Sequence, residues 1–166
     1  MEYAQGRTPS GRWRTMIHVV VAICLTMLAA LPGLLVHEAI EGWYSTLVRP
    51  SFAPPDRLFG PVWTVLYWLM GISAGLVWSR PERDEVKSAL MLFGAQLLLN
   101  ASWTVVFFGL HAPLFALGVI ILLLVLIAMT MRAFFPIHRI AAWLLVPYLL
   151  WVAFAAALNA AYVVLN

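Results

Sequence analysis

The chain has 166 residues, of which 64% are hydrophobic and 10% are charged, and its net charge at pH 7 is +3. Soluble domains average about 45–50% apolar and about 25% charged residues, so this composition excludes an ordinary soluble protein and indicates an integral membrane protein. The single cysteine, Cys24, excludes both a disulfide framework within the chain and a cysteine-based metal cluster.

Five apolar runs predict transmembrane helices at about residues 15–36, 59–79, 88–109, 113–131 and 140–164. Each is close to the roughly 20 residues that cross the hydrocarbon of a bilayer. The first run could also be a signal peptide, but its apolar stretch exceeds the usual 7–15 residues or so, which favours a retained helix. We therefore predict one all-α domain over residues 1–166, a five-helix membrane bundle with a long ordered loop between helices 1 and 2.

The basic residues are distributed unevenly between the two sides of such a bundle. With five crossings, the side of the N-terminus holds eight of them, Arg7, Arg12, Arg14, Arg80, Arg83, Lys87, Arg132 and Arg139, and the other side holds Arg49 and Arg57. By the positive-inside rule the N-terminus is predicted to be cytoplasmic, and a bacterial cell membrane is favoured. Because membrane topology accounts for the basic excess, we expect no nucleic-acid partner.

The first connection, residues 37–58, is long and contains the sequence WYSTLVRPSFAPP. Its prolines restrict the backbone and lower the entropy cost of ordering it, while Trp43, Tyr44 and Phe52 offer apolar area for docking. We predict an ordered lid over one mouth of the bundle. An aromatic belt at the membrane interface is the alternative, and it would account for Trp43 and Tyr44 alone.

The second span carries Trp63 and Tyr67 one turn apart, followed by Gly71 and Gly75. The G-x-x-x-G spacing predicts a close helix contact, within the chain or between two chains.

In the third span Gln96, Asn100 and Trp103 share one helical face. Amides in hydrocarbon need hydrogen-bond partners, so this face is predicted to turn inward. There the two amides could cross-link helices or contact a ligand.

The fifth span repeats Pro147, Trp151, Ala155 and Asn159 at every fourth position. Pro147 is expected to bend this helix, and Ala155 leaves space beside the indole of Trp151.

Motifs for conventional catalysis are lacking in the sequence. No ionisable residue lies deep in a span, which argues against a pump or a channel. No catalytic triad, phosphate-binding glycine loop or metal-ligand pattern occurs, and His111 is interpreted as a plain interfacial residue, so no metal site is predicted. An aromatic interior with a few amides is suited to a large, flat, mostly apolar ligand.

These motifs together resemble a known family. W-Y-x-x-L-x-[KR]-P-x-[FW]-x-P-P at 43–55, W-x-x-L-Y at 63–67, Q-x-x-x-N-x-x-W at 96–103 and P-Y-x-x-W-x-x-x-A-x-x-x-N at 147–159 are similar to the TspO family. This is the family of tryptophan-rich sensory proteins and peripheral-type benzodiazepine receptors. The resemblance covers about residues 16–164, in the family's order and spacing.

The resemblance implies a sensory or regulatory membrane protein, commonly a homodimer, that binds porphyrins such as protoporphyrin IX and requires no cofactor. Some members also bind sterols, isoquinolines or benzodiazepines. It leaves two alternatives: light- and oxygen-dependent porphyrin degradation, with Trp43 and Trp151 as catalytic residues, and transport of tetrapyrroles or lipids. Transport is weakened because the sequence shows no coupling-ion site and no paired broken helices.

Carried over by motif position, the implied ligand-binding residues are Trp43, Tyr44, Pro54, Trp63, Tyr67, Gln96, Asn100, Trp103, Pro147, Trp151 and Ala155. Two positions depart from the family pattern. Phe52 stands where many members have tryptophan, and no basic residue follows Tyr162, so the C-terminal sterol-recognition pattern is incomplete.

Overall fold

The computed structural model describes residues 10–36 and 40–166. Within them, five helical runs are long and apolar enough to cross a membrane: Gly11–Gly33, Asp56–Trp78, Asp84–Gly109, Pro113–Ile137 and Arg139–Leu165. Apolar runs form helices here because hydrocarbon offers no partner to a free backbone group, and a helix pairs these groups internally. The predicted five-helix membrane fold is confirmed. Residues 37–39, at the start of the predicted loop, lie outside the described residues.

The helices of the bundle are α1 (Ser10–Met27), α2 (Leu31–Leu35), α3 (Phe59–Trp78), α4 (Asp84–Thr104), α5 (Pro113–Ile137), α6 (Arg139–Leu144) and α7 (Val146–Leu165). A 3₁₀ turn, Leu28–Ala30, joins α1 to α2, and a π-helical turn, Val105–Gly109, extends α4. The main contacts are those of α1 with α3, α4 with α5, and α5 with α7, while α6 packs on both α3 and α5.

The contact of α1 with α3 depends on two glycines. A Cβ atom on Gly71 would lie 2.5 Å from the Cα atom of Ile23, and one on Gly75 would lie 2.4 Å from the Cα atom of Val19. Only glycine permits helix backbones to approach so closely. The predicted close helix contact is therefore confirmed, and it lies within the chain.

Three helices extend beyond their predicted ends, and the first of them, α1, begins at Ser10 instead of residue 15. α4 begins at Asp84 instead of residue 88, with Asp84 and Glu85 in its first turn, where negative charge favours a helix N-terminus. α5 continues past residue 131 to Ile137. The charged residues that mark these ends in the sequence are compatible with helix, because a helix can continue into the interfacial region.

The fifth crossing is divided at Leu145, where α6 ends and α7 begins. Pro147 lies in the first turn of α7, where its missing N–H has no helical partner to lose. The helix is thus interrupted on the N-terminal side of the proline, and the bend expected at Pro147 stays a prediction. The Ser73 hydroxyl donates a hydrogen bond of 2.7 Å to the Ala141 carbonyl and ties α6 to α3.

Candidate functional site

Two buried amides of α4 bond to tyrosines of other helices. Gln96 and Asn100 are only 1% and 3% exposed, so the predicted inward face is confirmed. The Tyr148 hydroxyl of α7 donates a hydrogen bond of 2.8 Å to Gln96 Oε1, and the Tyr67 hydroxyl of α3 donates one of 2.9 Å to Asn100 Oδ1. Both amides therefore cross-link helices, which was one of the two roles that the sequence allowed.

Trp63 joins the two tyrosines of this network. Its ring stacks on Tyr67 at a centroid distance of 5.5 Å and meets Tyr148 edge-on at 6.3 Å. Such geometries are those that aromatic pairs prefer. The interior between α3, α4 and α7 is thus an aromatic cluster with amide oxygens at its α4 wall.

Trp103 packs both against this interior cluster and against the aromatic residues at the end of the bundle near the loop. Its Nε1 donates a hydrogen bond of 3.1 Å to Asn159 Oδ1, and Asn159 Nδ2 donates one of 2.8 Å to the Pro113 carbonyl. The ring of Trp103 stacks on Phe107 at 5.3 Å. Ala155, also predicted for the site, is buried in the interior cluster.

The loop docks on the bundle through Trp43 and Tyr44. Trp43 stacks on His111 with 4.5 Å between ring centroids and meets Phe107 edge-on. The hydroxyl groups of Tyr44 and Tyr162 are 2.8 Å apart and share a hydrogen bond. Burial, followed by this bond, raises the pKa of Tyr44 above its usual value, so the phenol stays neutral. These contacts correspond to the predicted ordered loop and not to a belt facing lipid.

Polar contacts hold the proline-rich part of the loop in shape. Arg49 forms an ion pair of 2.9 Å with Asp56 and also donates a hydrogen bond to the Pro54 carbonyl. The hydrogen bond to Asp56 raises the pKa of the Arg49 guanidinium. An exposed pair of this kind contributes little stability, about 0–1 kcal/mol, but its two contacts close the turn that contains the prolines.

The last residue of the chain is bonded to the same loop. The Val48 backbone N–H donates a hydrogen bond of 2.8 Å to Asn166 Oδ1, and Asn166 Nδ2 donates one of 3.3 Å to the Val48 carbonyl. The amide thus pairs with both backbone groups of one loop residue. The loop and the end of α7 are joined on this side of the bundle.

Trp151 has different ring partners from Trp43. Its ring lies 5.8 Å from Phe59 and 5.6 Å from Phe154, and Phe154 in turn meets Phe52 of the loop at 6.2 Å. The described ring contacts of Trp43 are with Phe107 and His111 instead. The two tryptophans that the resemblance implied as a catalytic pair therefore have separate ring partners.

Pro147 and Pro54 lie nearer the surface than the other predicted residues. Pro147 is exposed and, with Pro61 and Trp151, borders an open groove of about 540 Å³ between α3 and α7. Pro54 is half-buried, and its carbonyl is bonded to Arg49.

Two of the predicted residues carry buried N–H groups with no hydrogen-bond partner among the described residues. They are Gln96 Nε2 and Trp151 Nε1. A buried donor left unpaired costs about 1–3 kcal/mol, so each of these two N–H groups favours a ligand that presents a hydrogen-bond acceptor to it. Over the same described ranges, no three histidine, cysteine or carboxylate side chains are grouped closely enough to hold a metal ion.

Several contact residues were not predicted from the sequence. Tyr148 lies in the fifth span, directly after Pro147. Because a hydroxyl group in a span needs a hydrogen-bond partner, the sequence did contain a signal that Tyr148 faces the interior. For Tyr162 the sequence offers only its place in the incomplete sterol-recognition pattern. The stacking of His111 on Trp43 had no signal, because it depends on a turn in which His111 has a φ of 52°, a value that non-glycine residues rarely adopt.

Comparisons with known proteins agree with this fold. The model of the TspO/MBR family matches residues 20–165. The chain is 46% identical to the tryptophan-rich protein TspO of Chlorobaculum tepidum over 125 residues, which cover 75% of this chain and 79% of that protein. It is 38% identical to the tryptophan-rich sensory protein of Cereibacter sphaeroides, with coverage of 83% and 87%, and 40% identical to the human translocator protein, with coverage of 75% and 75%. The chain therefore belongs to the TspO/MBR family of multi-pass membrane proteins.

Proposed function

We propose that the protein binds a tetrapyrrole of the protoporphyrin IX type beneath the loop and acts as a sensory or regulatory membrane protein. The family relationship supports a role of this class, and one relative is named a sensory protein. The proposal depends mainly on one observation: the buried N–H groups of Gln96 and Trp151 have no hydrogen-bond partner among the described residues, and both side chains contact aromatic residues. Isoquinolines and sterols are proposed as further ligands of the same site.

The chemistry of a porphyrin matches these groups. Its flat ring can stack on indole and phenol rings, and its carboxylates and ring nitrogens accept hydrogen bonds. Gln96 and Trp151 would supply donors that the protein itself leaves unpaired, and Asn100 would orient the ligand from the next turn of α4. Such a ligand gains both stacking area and hydrogen bonds.

Entry of so large a ligand requires the loop to move. The shared hydrogen bond of Tyr44 with Tyr162 and the pairing of Asn166 with Val48 must open, because they hold the loop against the bundle. Each is worth about 0.5–1.5 kcal/mol, which binding can offset. Trp43 and Tyr44 would then contact the ligand from the loop side.

Titration of the purified protein with protoporphyrin IX in the dark tests the proposal. Trp151→Phe, which removes the N–H and keeps a ring, and Gln96→Met should each weaken binding about tenfold, read from porphyrin absorbance. Trp143→Phe is the matched control, because Trp143 is 64% exposed and lies outside the predicted site. Unchanged affinity in both site variants would reject this site.

Porphyrin degradation is tested by illuminating the same complex in the presence of oxygen. A product that requires Trp43 and Trp151, and that free porphyrin with an unrelated membrane protein does not give, would establish the enzymatic alternative. Binding is the function we propose, because the unpaired N–H groups account for it without a chemical step. Porphyrin flux in proteoliposomes would establish transport.

The topology and assembly are part of the proposal. The excess of lysine and arginine supports a cytoplasmic N-terminus in a bacterial cell membrane. Labelling of single cysteines placed in the loop and in the connection between α3 and α4, in a Cys24→Ser background, would test the orientation. Chemical cross-linking in membranes would test the homodimer.

A further inference from the structure

A basic groove lies at the end of the bundle where α1 begins, opposite the loop. It has a volume of about 530 Å³, and its lining includes Arg80, Phe135, Ile137, His138, Arg139 and Ile140. Its residues come from the connection after α3, the end of α5 and the start of α6. None of them belongs to the predicted tetrapyrrole site.

The cations of this groove have no acidic counterpart within it. Among the residues that the structure describes, neither Arg80 nor Arg139 forms an ion pair with a carboxylate. Arg139 is held over the ring of Phe135, with 5.5 Å from its guanidinium carbon to the ring centroid. Arg80 and His138 line the same groove, and burial, followed by the charge of Arg80, lowers the pKa of His138.

The groove lies at the boundary between the membrane and water. Arg80 comes two residues after the span that ends at Trp78, and His138 separates the last two spans. Its lining combines these cations with the apolar side chains of Phe135, Ile137 and Ile140, which belong to the last two membrane-spanning helices.

A second groove borders the first at Phe135. Its volume is about 340 Å³, and Arg132 and the exposed Trp143 line it. Arginine and tryptophan are the residues that contact headgroups at a membrane interface. Together the two grooves offer three arginines above an apolar surface.

We propose that the basic groove binds an anionic phospholipid, with Arg80 and Arg139 contacting the phosphate of its headgroup and the apolar side chains receiving its acyl chains. A free phosphate compound would use only the cations, and the apolar side chains favour a lipid. Each cation near a membrane surface adds about fivefold to the affinity for anionic lipid. The inference does not depend on tetrapyrrole binding.

Native mass spectrometry of the full chain, titrated with phosphatidylglycerol or phosphatidylcholine, tests this site. Arg80→Gln with Arg139→Gln should weaken phosphatidylglycerol binding about tenfold or more and leave phosphatidylcholine binding unchanged. Arg83→Gln with Lys87→Gln, which removes the same charge from the same side of the bundle, should retain the preference. Equal losses in the two double variants would overturn the proposal, because they would indicate general surface charge.

Two further measurements test whether the ligand is a lipid and whether the groove prefers an anionic headgroup. Competition by inorganic phosphate or glycerol 3-phosphate at millimolar concentration would overturn the lipid assignment in favour of a soluble phosphate compound. Phosphatidylglycerol with brominated chains should quench Trp143 more than brominated phosphatidylcholine does, with Trp143→Phe as the reference. This second measurement needs no arginine variant, and equal quenching by both lipids would also overturn the proposal.

Discussion

Gln96 and Asn100 each accept a hydrogen bond from a tyrosine on another helix, at positions that are almost fully buried. At the scale of residues these bonds matter because hydrocarbon gives an unpaired amide no alternative partner. The sequence placed both amides on the inward face from their helical spacing. It could not name their partners, because Tyr67 is 33 residues from Asn100 and Tyr148 is 52 residues from Gln96.

Removing one tyrosine hydroxyl tests the energetic role of this network. Tyr148→Phe should destabilise the protein by about 1–3 kcal/mol, because Gln96 Oε1 then remains buried without its donor. Unfolding in mixed micelles measures the change. The double variant Tyr148→Phe with Gln96→Leu should lose less than the sum of the single variants, because no unpaired amide remains. Additive losses would contradict a direct coupling of the two side chains.

At the scale of elements, the packing of α1 on α3 depends on two glycines of α3, which have no side chains to separate the helices. The spacing of Gly71 and Gly75 predicts a close helix contact, because small residues four apart form a flat strip on a helix. The structure adds the identity of the partner, which is α1 of the same chain.

Adding one methyl group to this contact should be costly. Gly75→Ala would place a Cβ atom 2.4 Å from the backbone of Val19, which cannot move without shifting α1. We expect a loss of stability of about 1–3 kcal/mol in thermal unfolding. Gly118→Ala is the matched control, since a Cβ atom there meets nothing within 4 Å and should cause no loss. Equal behaviour of the two variants would refute the close contact.

The loop is a second element whose structure depends on distant residues. Asn166 is paired with both backbone groups of Val48, although 118 residues separate them in sequence. Proline and aromatic content predicted an ordered segment, but not this partner. The local closure by Arg49 and Asp56 joins residues only seven apart, yet neither the charge count nor the loop motif that contains Arg49 predicts this pair.

Removal of the side-chain amide of Asn166 should loosen the loop without unfolding the bundle. In Asn166→Ala, the Val48 N–H loses its acceptor, so hydrogen exchange at that amide should accelerate about threefold to tenfold. Val164→Ala is the control, because Val164 lies near the same end of α7 and its side chain is 84% exposed. Unchanged exchange at Val48 would mean that other contacts alone hold this part of the loop.

At the scale of the whole molecule, the two ends of the bundle differ in chemistry. The loop end carries aromatic clusters and neutral amides, and the opposite end carries the basic groove. This asymmetry follows from the sequence, because cations collect in the connections on one side. A ligand at either end should stabilise the folded bundle, since unfolding destroys both sites.

Ligand-linked stability tests whether porphyrin binds the folded protein. At about 100 times its dissociation constant, protoporphyrin IX should increase the free energy of unfolding by about 2.7 kcal/mol. Unfolding followed by circular dichroism in the dark measures this change, and Trp151→Phe should show a smaller increase at the same concentration. A similar increase with an unrelated helical membrane protein would assign the effect to the detergent micelle.

The sequence by itself determined the number of spans, the inward face of α4 and the glycine contact of α3, because hydrocarbon imposes these features on any chain that enters it. Tertiary structure decided which side chains meet: Tyr148 with Gln96, Trp43 with His111, and Trp151 with Phe59 rather than with the ring partners of Trp43. These pairs are far apart in sequence, and helical periodicity describes only neighbours on one helix. Their geometry arises when helices pack, because each contact depends on the rotation and tilt of two elements at once.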